Sequence, residues 1–594
     1  MADRSGWSAQ PYPCDYEDSH SMKNSEKSGF FKSLFGGEQE VPPRAAVPLY
    51  IPIPVTKAEK ETLPNIEAMW NQVTQQRLGP LLLLQEVNRY LDKINLMPLP
   101  YEQRTRMSNI LLNEVATAIG SLFARFFQQG GGIPETREQR DSISHAVRAA
   151  EQLAISYKLL FRQDWADPAE DRDAQDRLLL VVLRILECIR LEQLLRAFRY
   201  QKLPQNAWRD SNQLFFALRD DWDVEANFPL KIRFSVEDSA SRLELFPKMA
   251  SVQQLYLSIQ LTGMLDVISW PVQFIYRVGR YLSEIEAPMI VNDDKGEEVP
   301  PGHILVYRNQ GARPSFSRGH EQLDEALFIE LNPLVRRVTQ DRAALVSPLT
   351  ATIASETLRA TPEQDRIPFL DLLLHRLQPQ QRRDTRQRVF DDHRARVYGG
   401  FEAVYRLFRD ITRHEMGQEE VVKERHFWDS LAEHTSIFAD GGDALPEPRW
   451  LIADDGPGGM QLRQHERDYS MPLYVGRLVA YSKGGEDIGD SRLGYVVRIE
   501  RSTDAEVEVA IARLREKVKA AVVQDLDSMD QRTVPALLIR DLDGKLQLLC
   551  DNEYKFITGE RLAVVNDDHH YTGALGEIVL AQADFTVFEL HTAE

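Results

Sequence analysis

The stretch QRRDTRQR contains four arginines within seven residues: Arg382, Arg383, Arg386 and Arg388. A guanidinium group is a planar fork that can bind a phosphate through two hydrogen bonds and can stack on a nucleobase. On a helix the same cluster would form an ordinary charged surface, with Arg382 and Arg386 one turn apart. The spacing therefore indicates an anion-binding site only if a second feature supports it.

A glycine-rich corner between two strand-like flanks carries two adjacent acids. The stretch WLIADDGPGGMQL places Asp454 and Asp455 directly before three glycines and one proline. Glycine permits the backbone conformations that tight turns require, and a carboxylate accepts hydrogen bonds. This corner contains more acid and more glycine than a plain hairpin turn needs.

The sequence lacks the GxGxxG, P-loop, HExxH and GxSxG patterns, each of which is the minimum signature of its chemistry. In NDDHHYTG two acids stand beside two histidines, but neighbouring side chains of a strand point to opposite faces and cannot all meet one ion. NDDKGEE lacks the ligand spacing of a calcium loop. GGDAL and RSTD resemble fragments of a diguanylate cyclase, without the surrounding α/β pattern. We therefore expect no enzymatic activity, no cofactor and no metal site.

Composition narrows the function classes further. The 594-residue chain has 90 acidic and 71 basic residues, a formal charge of -19, which argues against general binding to nucleic acid or anionic membranes. Its three cysteines have no metal or redox spacing, which favours the cytoplasm. No apolar run follows the N-terminus, so we expect no signal peptide. Residues 255–276 are apolar but include Asp266 and Pro271, so we expect a buried helix without stable membrane insertion.

From residue 48 to residue 378 the apolar residues recur with a helical period. In RMSNILLNEVATAIGSLFARFFQQ one stripe contains Leu111, Val115, Ala118 and Leu122, which predicts a core-facing amphipathic helix. DAQDRLLLVVLRILECIRLEQLLRAFR predicts a second long helix, ended by Pro204. Short extended pieces are expected near residues 290–334. Before this region, residues 1–47 form a predicted flexible tail, in which SGFFKSLFGG is either a docking helix or an unstructured segment.

After residue 378 the period changes to two. RARVYGGF, RWLIADD, GMQLR, LYVGRLVAYS, RLGYVVRIE and AEVEVAIARL predict a small antiparallel barrel over residues 379–515, with a helical insert at residues 401–439. VPALLIRDLDGKLQLLC, ITGERLAVVN and FTVFEL predict a small β-rich C-terminal unit over residues 516–594. The predicted fold class is multidomain α+β: a large all-α N-terminal region, the barrel and the β-rich unit.

The arginine cluster and the glycine corner together resemble a known motif pair. Arg382xxxArg386 and the later DDGPGG are similar to the RxxxR and [D/N]xSxxG motifs of PilZ domains, the bacterial receptors for cyclic di-GMP. YVGRLVAY and RLGYVVRIE resemble the last strands of that domain, and the resemblance covers roughly residues 380 to 515. The helical part, with ISYKLLFRQDW, LLRAFRYQKLPQNAWRDSNQLFF and GFEAVYRL, resembles large proteobacterial proteins that place a long helical region before such a barrel.

The resemblance implies a ligand, cyclic di-GMP, and roles for the matching residues. Arg382 and Arg386, with Arg383 beside them, would bind the phosphates and stack on guanine. Asp454 would hydrogen-bond the nucleotide, Gly459 would shape the turn, and Asp455 is expected to face solvent. Gly456 stands where the motif has serine, and a lost hydrogen bond costs on the order of 1 kcal/mol of binding free energy.

Two functions remain open on the sequence alone. One is a cytoplasmic signalling adaptor in which cyclic di-GMP binding at a PilZ-like barrel is coupled to a helical region that binds an unknown protein partner. The other is a scaffold or interaction protein whose degenerate barrel no longer binds nucleotide. The arginine cluster favours the first function, and Gly456 favours the second.

Overall fold

The computed structural model describes residues 45–51, 68, 70–73, 75–76, 78–128, 136–166, 172–232, 235–238, 241–244, 246–284, 290–291, 303–316, 326–346, 353, 355–378, 387–388, 394–416, 450–465, 472–484, 486–501, 506–515, 517–527, 533–540, 544–566 and 570–592. Residues 1–44 of the predicted tail, which include SGFFKSLFGG, lie outside these residues, as do GGDAL and NDDKGEE.

The N-terminal part is built mainly from helices. Their bounds are α1 Pro80–Leu96, α2 Tyr101–Gln128, α3 Arg137–Ala166, α4 Arg172–Phe198, α5 Gln205–Leu218, α6 Val252–Met264, α7 Val272–Ser283, α8 Asn332–Val346, α9 Glu356–Ala360 and α10 Glu363–Arg376. Short strands interrupt them: β1 Phe228–Pro229, β2 Ser235–Asp238, β3 Ser241–Glu244, β4 Met249–Ala250, β5 Ile290–Val291, β6 His303–Tyr307, β7 Ser315–Phe316 and β8 Ala326–Glu330. β5, β8, β6 and β7 form one antiparallel sheet in that order.

The two long helices follow the predicted patterns. The α2 stripe is buried at Leu111, Val115 and Ala118. Helix α4 is buried on nearly every side, so it also buries charged residues. Glu187, for example, pairs with Arg184 at 2.6 Å and accepts the backbone N–H groups of residues 231 and 232. Buried charges are tolerated only when they are paired and hydrogen-bonded, as Glu187 is. Because α4 is buried on nearly every side, it forms the centre of the helical core.

A second buried acid of α4 couples stability to pH. Burial, together with the charge of Glu151, raises the pKa of Glu192 from 4.5 to about 8, although Arg196 binds it at 2.6 Å. An acid whose pKa is raised on folding stabilises the fold below its unfolded-state pKa and loses this contribution as pH rises towards 8. Because glutamine does not titrate, we expect the free energy of unfolding of Glu192→Gln to rise relative to that of wild type as the pH increases from about 5 to about 8. Urea unfolding at both pH values measures the difference, with the exposed, ion-paired Glu86→Gln as control.

The apolar stretch at residues 255–276 is two helices, not the single buried helix that we expected. Helix α6 ends at Met264, and α7 begins at Val272, after Asp266 in the left-handed conformation and Pro271, which lacks an N–H donor. Both helices are largely buried. None of the described helices is both long and apolar enough to cross a membrane.

Of the next seven strands, six form the first barrel and β9 extends its sheet. They are β9 Gln387–Arg388, β10 Arg394–Gly399, β11 Trp450–Gly456, β12 Gly459–His465, β13 Leu478–Lys483, β14 Arg492–Arg501 and β15 Glu506–Arg515, with helix α11 Phe401–Met416 after β10. The antiparallel order is β10, β13, β14, β15, β12, β11, and β11 pairs back with β10 to close the ring. Strand β9 extends the sheet along the second half of β11.

The C-terminal unit is a second closed barrel. Its strands are β16 Val518–Asp525, β17 Thr533–Arg540, β18 Leu546–Asp551, β19 Arg561–Val565, β20 His570–Ala581 and β21 Phe585–Thr592, in the order β16, β17, β18, β21, β20, β19. The two barrels and the helical part confirm the predicted α+β class. The last four residues of NDDHHYTG lie in β20, which pairs with β19.

Clusters of apolar side chains connect the helical part to the first barrel and the first barrel to the second. One cluster contains both the helical core and the inward face of the first barrel, including Trp450, Met460 and Ile511. A second cluster places α11 between the barrels, where Val404 and Phe408 pack with residues of both. Movement of the first barrel would therefore require repacking against its neighbours.

Candidate functional site

The glycine corner forms the tight turn between β11 and β12. Gly456 pairs with Gly459, and Pro457 and Gly458 lie between them. Gly459 has a φ of 150°, and a Cβ atom there would lie 2.0 Å from the carbonyl oxygen of Ile511. Only glycine fits this position, which agrees with the role expected for it. At Gly456 a Cβ would meet only the Gly459 carbonyl oxygen, at 4.0 Å, and at Gly458 it would meet nothing within 4 Å.

A β-bulge sets the directions of the two acids. The register of β11 against β12 shifts between Ile452 and Asp454, so that Asp454 stands opposite Gln461 and Asp455 opposite Met460. Met460 is buried inside the barrel. Because residues opposite each other share a face, Asp455 extends the inward face and Asp454 the outward one.

The expectation that Asp455 faces solvent is therefore wrong. Its carboxylate is only 18% exposed and lies 2.7 Å from the Lys483 ammonium and 3.8 Å from Nη2 of Arg513. Nε of Arg513 donates to the hydroxyl of Tyr481 at 3.2 Å. We call Asp455, Tyr481, Lys483 and Arg513 the mouth cluster, because they continue the inward face beyond its apolar part.

Sequence reasoning missed the basic members of the mouth cluster. Lys483 ends β13 and Arg513 lies near the end of β15, both far along the chain from Asp455. Lys483 and Arg513 each stand two residues after an inward residue, Tyr481 and Ile511 respectively, so strand alternation could have indicated that they also point inward. Which strands neighbour the turn, however, depends on barrel closure, which no local pattern encodes.

Strand β9 brings the segment after the RxxxR motif to the acids. Arg388 pairs with Asp454, and Gln387 pairs with Asp455. The predicted ligand residues Arg382, Arg383 and Arg386 lie outside the described residues, so their roles stay predictions. The pairing nevertheless places the backbone two residues after Arg386 directly beside the candidate polar contact.

A large groove opens on the outer side of the turn, with a volume of about 1840 Å³. One wall contains α10 and the residues after it, as far as Gln378; another contains the turn at residues 456–460 with Ala510 and Ala512. The second barrel forms the third wall, where Ile557, Ile578 and Val579 are exposed. This volume exceeds that of a typical small-molecule pocket, roughly 300–1,000 Å³.

Titratable groups of the second barrel lie at the groove and at the joint between the barrels. Burial raises the pKa of Asp551, which lines the groove, to about 6. At the joint, Asp584 accepts from the Tyr474 hydroxyl and from the backbone N–H of Leu478, and burial raises its pKa. These contacts fix the second barrel against the first.

The helical part contacts the first barrel at the end of β14. The N–H of Arg501 donates to the carbonyl oxygen of Tyr200 at 3.0 Å, and Lys202 pairs with Glu500. The 3-10 turn Val267–Ser269 also packs against β14. These contacts provide a physical connection between barrel and helices.

The described residues contain no group of three or more His, Cys, Asp or Glu side chains that could hold a metal ion. The basic and polar side chains around Asp455 are of the kind that can bind an anion.

Comparison with known proteins gives one match. The family described as "Cyclic-di-GMP receptor FimW, N-terminal domain" matches residues 53–289. No curated protein and no solved structure is significantly similar to the chain. The matched residues include α1 to α7 and end before the first barrel.

Proposed function

We propose that this chain is a cytoplasmic receptor that binds cyclic di-GMP at a PilZ-like first barrel and passes the binding event to its helical region. The similarity of residues 53–289 to a cyclic-di-GMP receptor domain supports the ligand class. The observation that supports the proposal is the pairing of Arg388 with Asp454, because Arg388 follows the first motif by two residues and Asp454 begins the second.

Chain connectivity links the arginine motif to the turn. Gln387 directly follows Arg386 in the sequence, and β9 pairs Gln387 with Asp455 and Arg388 with Asp454. Residues 379–386 join Gln378, on the groove wall, to Gln387, beside Asp455.

In this arrangement the ligand lies at the turn end of the groove. The arginines bind its phosphates, Asp454 on the outward face accepts hydrogen bonds from a guanine, and the small side chains of Ala510 and Ala512 leave room for the bases. Gly459 holds the turn close to Ile511, which keeps its backbone in place.

The helical region is the proposed output. The arginine segment directly follows α10 in the sequence, so a ligand bound to its arginines would also act on the last helix before the barrel. The Tyr200–Arg501 contact gives a second connection. An unidentified protein partner would then sense the change on the helical surface.

Calorimetric titration of the full chain with cyclic di-GMP tests the proposal, and Gly456→Ser sharpens the test. The serine Cβ fits because its nearest neighbour is 4.0 Å away, and its hydroxyl restores the motif. We expect wild type to bind and Gly456→Ser to bind several-fold more tightly, corresponding to about 1 kcal/mol.

Gly458→Ser is the matched control, because it adds the same hydroxyl in open space two residues later in the turn. No heat and no thermal shift for either wild type or Gly456→Ser would rule out the receptor and leave the scaffold function. Equal gains in affinity for Gly456→Ser and Gly458→Ser would show that the added hydroxyl strengthens binding at either position of the turn, independently of the motif.

A further inference from the structure

In the mouth cluster two cations approach one acid. Lys483 and Arg513 both lie within ion-pair distance of one carboxylate, that of Asp455. Both cations are partly buried, since the side chain of Lys483 is 33% exposed and that of Arg513 is 16% exposed. The nearby Arg492 forms a separate ion pair with Glu486 at 3.4 Å.

Only one carboxylate oxygen of Asp455 is in hydrogen-bond contact with a cation of the cluster. Its Oδ2 contacts Lys483 at 2.7 Å, but Oδ1 has no hydrogen-bond partner among the described residues. The approach of Arg513 at 3.8 Å is an ion pair without a hydrogen bond. A buried carboxylate oxygen that lacks a donor carries a free-energy cost. An acceptor whose oxygens fit Lys483 and Arg513 better than those of Asp455 could therefore replace it.

The mouth cluster adjoins the proposed ligand turn. Asp455 directly precedes Gly456, and the backbone N–H of Arg513 donates to the carbonyl oxygen of Gly458 at 3.0 Å. Strand β9, which follows the arginine segment, pairs with Asp455 through Gln387. The cations of the cluster and strand β9 therefore lie at the same end of the barrel.

We infer that Lys483 is a phosphate-binding residue of this site and that Asp455 occupies the anion position until the phosphate displaces it. This inference rests on the proposed function. A lysine ammonium has three donors on a flexible stem, so it can turn from the carboxylate to a phosphate oxygen a few ångströms away. A phosphate also presents more acceptor oxygens to the neighbouring Arg513 than one carboxylate does.

The inference gives Asp455 a role opposite to that of a ligand contact. As a competing anion it weakens binding, so its neutral isostere should strengthen binding. Had Asp455 contacted the guanine, or served only to hold the turn, the same substitution would weaken binding.

The test is calorimetric titration of full-length variants with cyclic di-GMP at low and high salt. We expect Lys483→Met to lower the affinity about tenfold and to reduce its salt dependence, Lys483→Arg to retain most of it, and Asp455→Asn to raise it several-fold. Lys545→Met is the matched control, since Lys545 also pairs with an acid, Glu589, but on the second barrel. Thermal unfolding checks that each variant folds.

The outcomes separate this inference from the proposed function. Wild type that fails to bind overturns both. Wild type that binds, together with Lys483→Met of unchanged affinity or Asp455→Asn of reduced affinity, overturns the inference alone. If Lys483→Met is unfolded, the sign of the Asp455→Asn effect decides.

Discussion

Arg386→Ala is expected to lower the affinity for cyclic di-GMP by about a hundredfold. A hydrogen bond between a guanidinium and a phosphate contributes about 1.5–3 kcal/mol, and loss of the stacking surface adds to this. Arg386 directly precedes β9 in the sequence, and β9 pairs with β11 at Asp454 and Asp455. Calorimetry on the purified full chain measures the change.

Arg561→Ala provides the control for this variant. Arg561 is an arginine that binds an anionic group through two nitrogens, since its Nε and Nη2 donate to Asp527 at 3.0 and 2.8 Å. It lies on the second barrel. Its removal should leave the affinity for cyclic di-GMP unchanged. Equal affinities of Arg386→Ala and wild type would show that the RxxxR motif does not bind the ligand in this chain.

Gly459→Ala is expected to destabilise the first barrel by about 3 kcal/mol and to remove ligand binding. The added Cβ would lie 2.0 Å from the Ile511 carbonyl oxygen, which is backbone of β15 and cannot rotate away, and the φ of 150° disfavours alanine. Strands β12 and β15 must separate to accept it. Hydrogen exchange of β11, β12 and β15 measures the local stability.

Gly458→Ala tests whether this effect belongs to the position. A Cβ at Gly458 meets nothing within 4 Å, so the stability should change by about 0.5 kcal/mol or less. If both alanine variants exchange like wild type, the close approach of β12 to β15 does not constrain the turn as we describe it.

The long helices and the strands were predictable because their signals are local. The stripe Leu111, Val115 and Ala118 repeats at helical spacing and is buried on α2. The alternation in GMQLR is likewise the inward and outward alternation of β12. The break between α6 and α7 was not predicted, because an apolar window does not show where Asp266 takes a left-handed conformation.

The positions of the two acids show the limit of pattern reading. Strict alternation along β11 assigns Asp454 to the face of Ile452, but the bulge between them reverses this. Asp455 therefore turns inward to Lys483 rather than outward to solvent. A bulge depends on how two strands fit against their neighbours, and the sequence of one strand does not contain this information.

The sequence by itself determined the helical and β-rich halves, the glycine corner and the arginine cluster, because periodicity, turn chemistry and charge are properties of neighbouring residues. Only the tertiary structure decided that Lys483 and Arg513 surround Asp455 and that a groove joins the turn, α10 and the second barrel. These contacts arise from closure of the barrel and from packing between distant segments, which bring together residues that the chain keeps far apart.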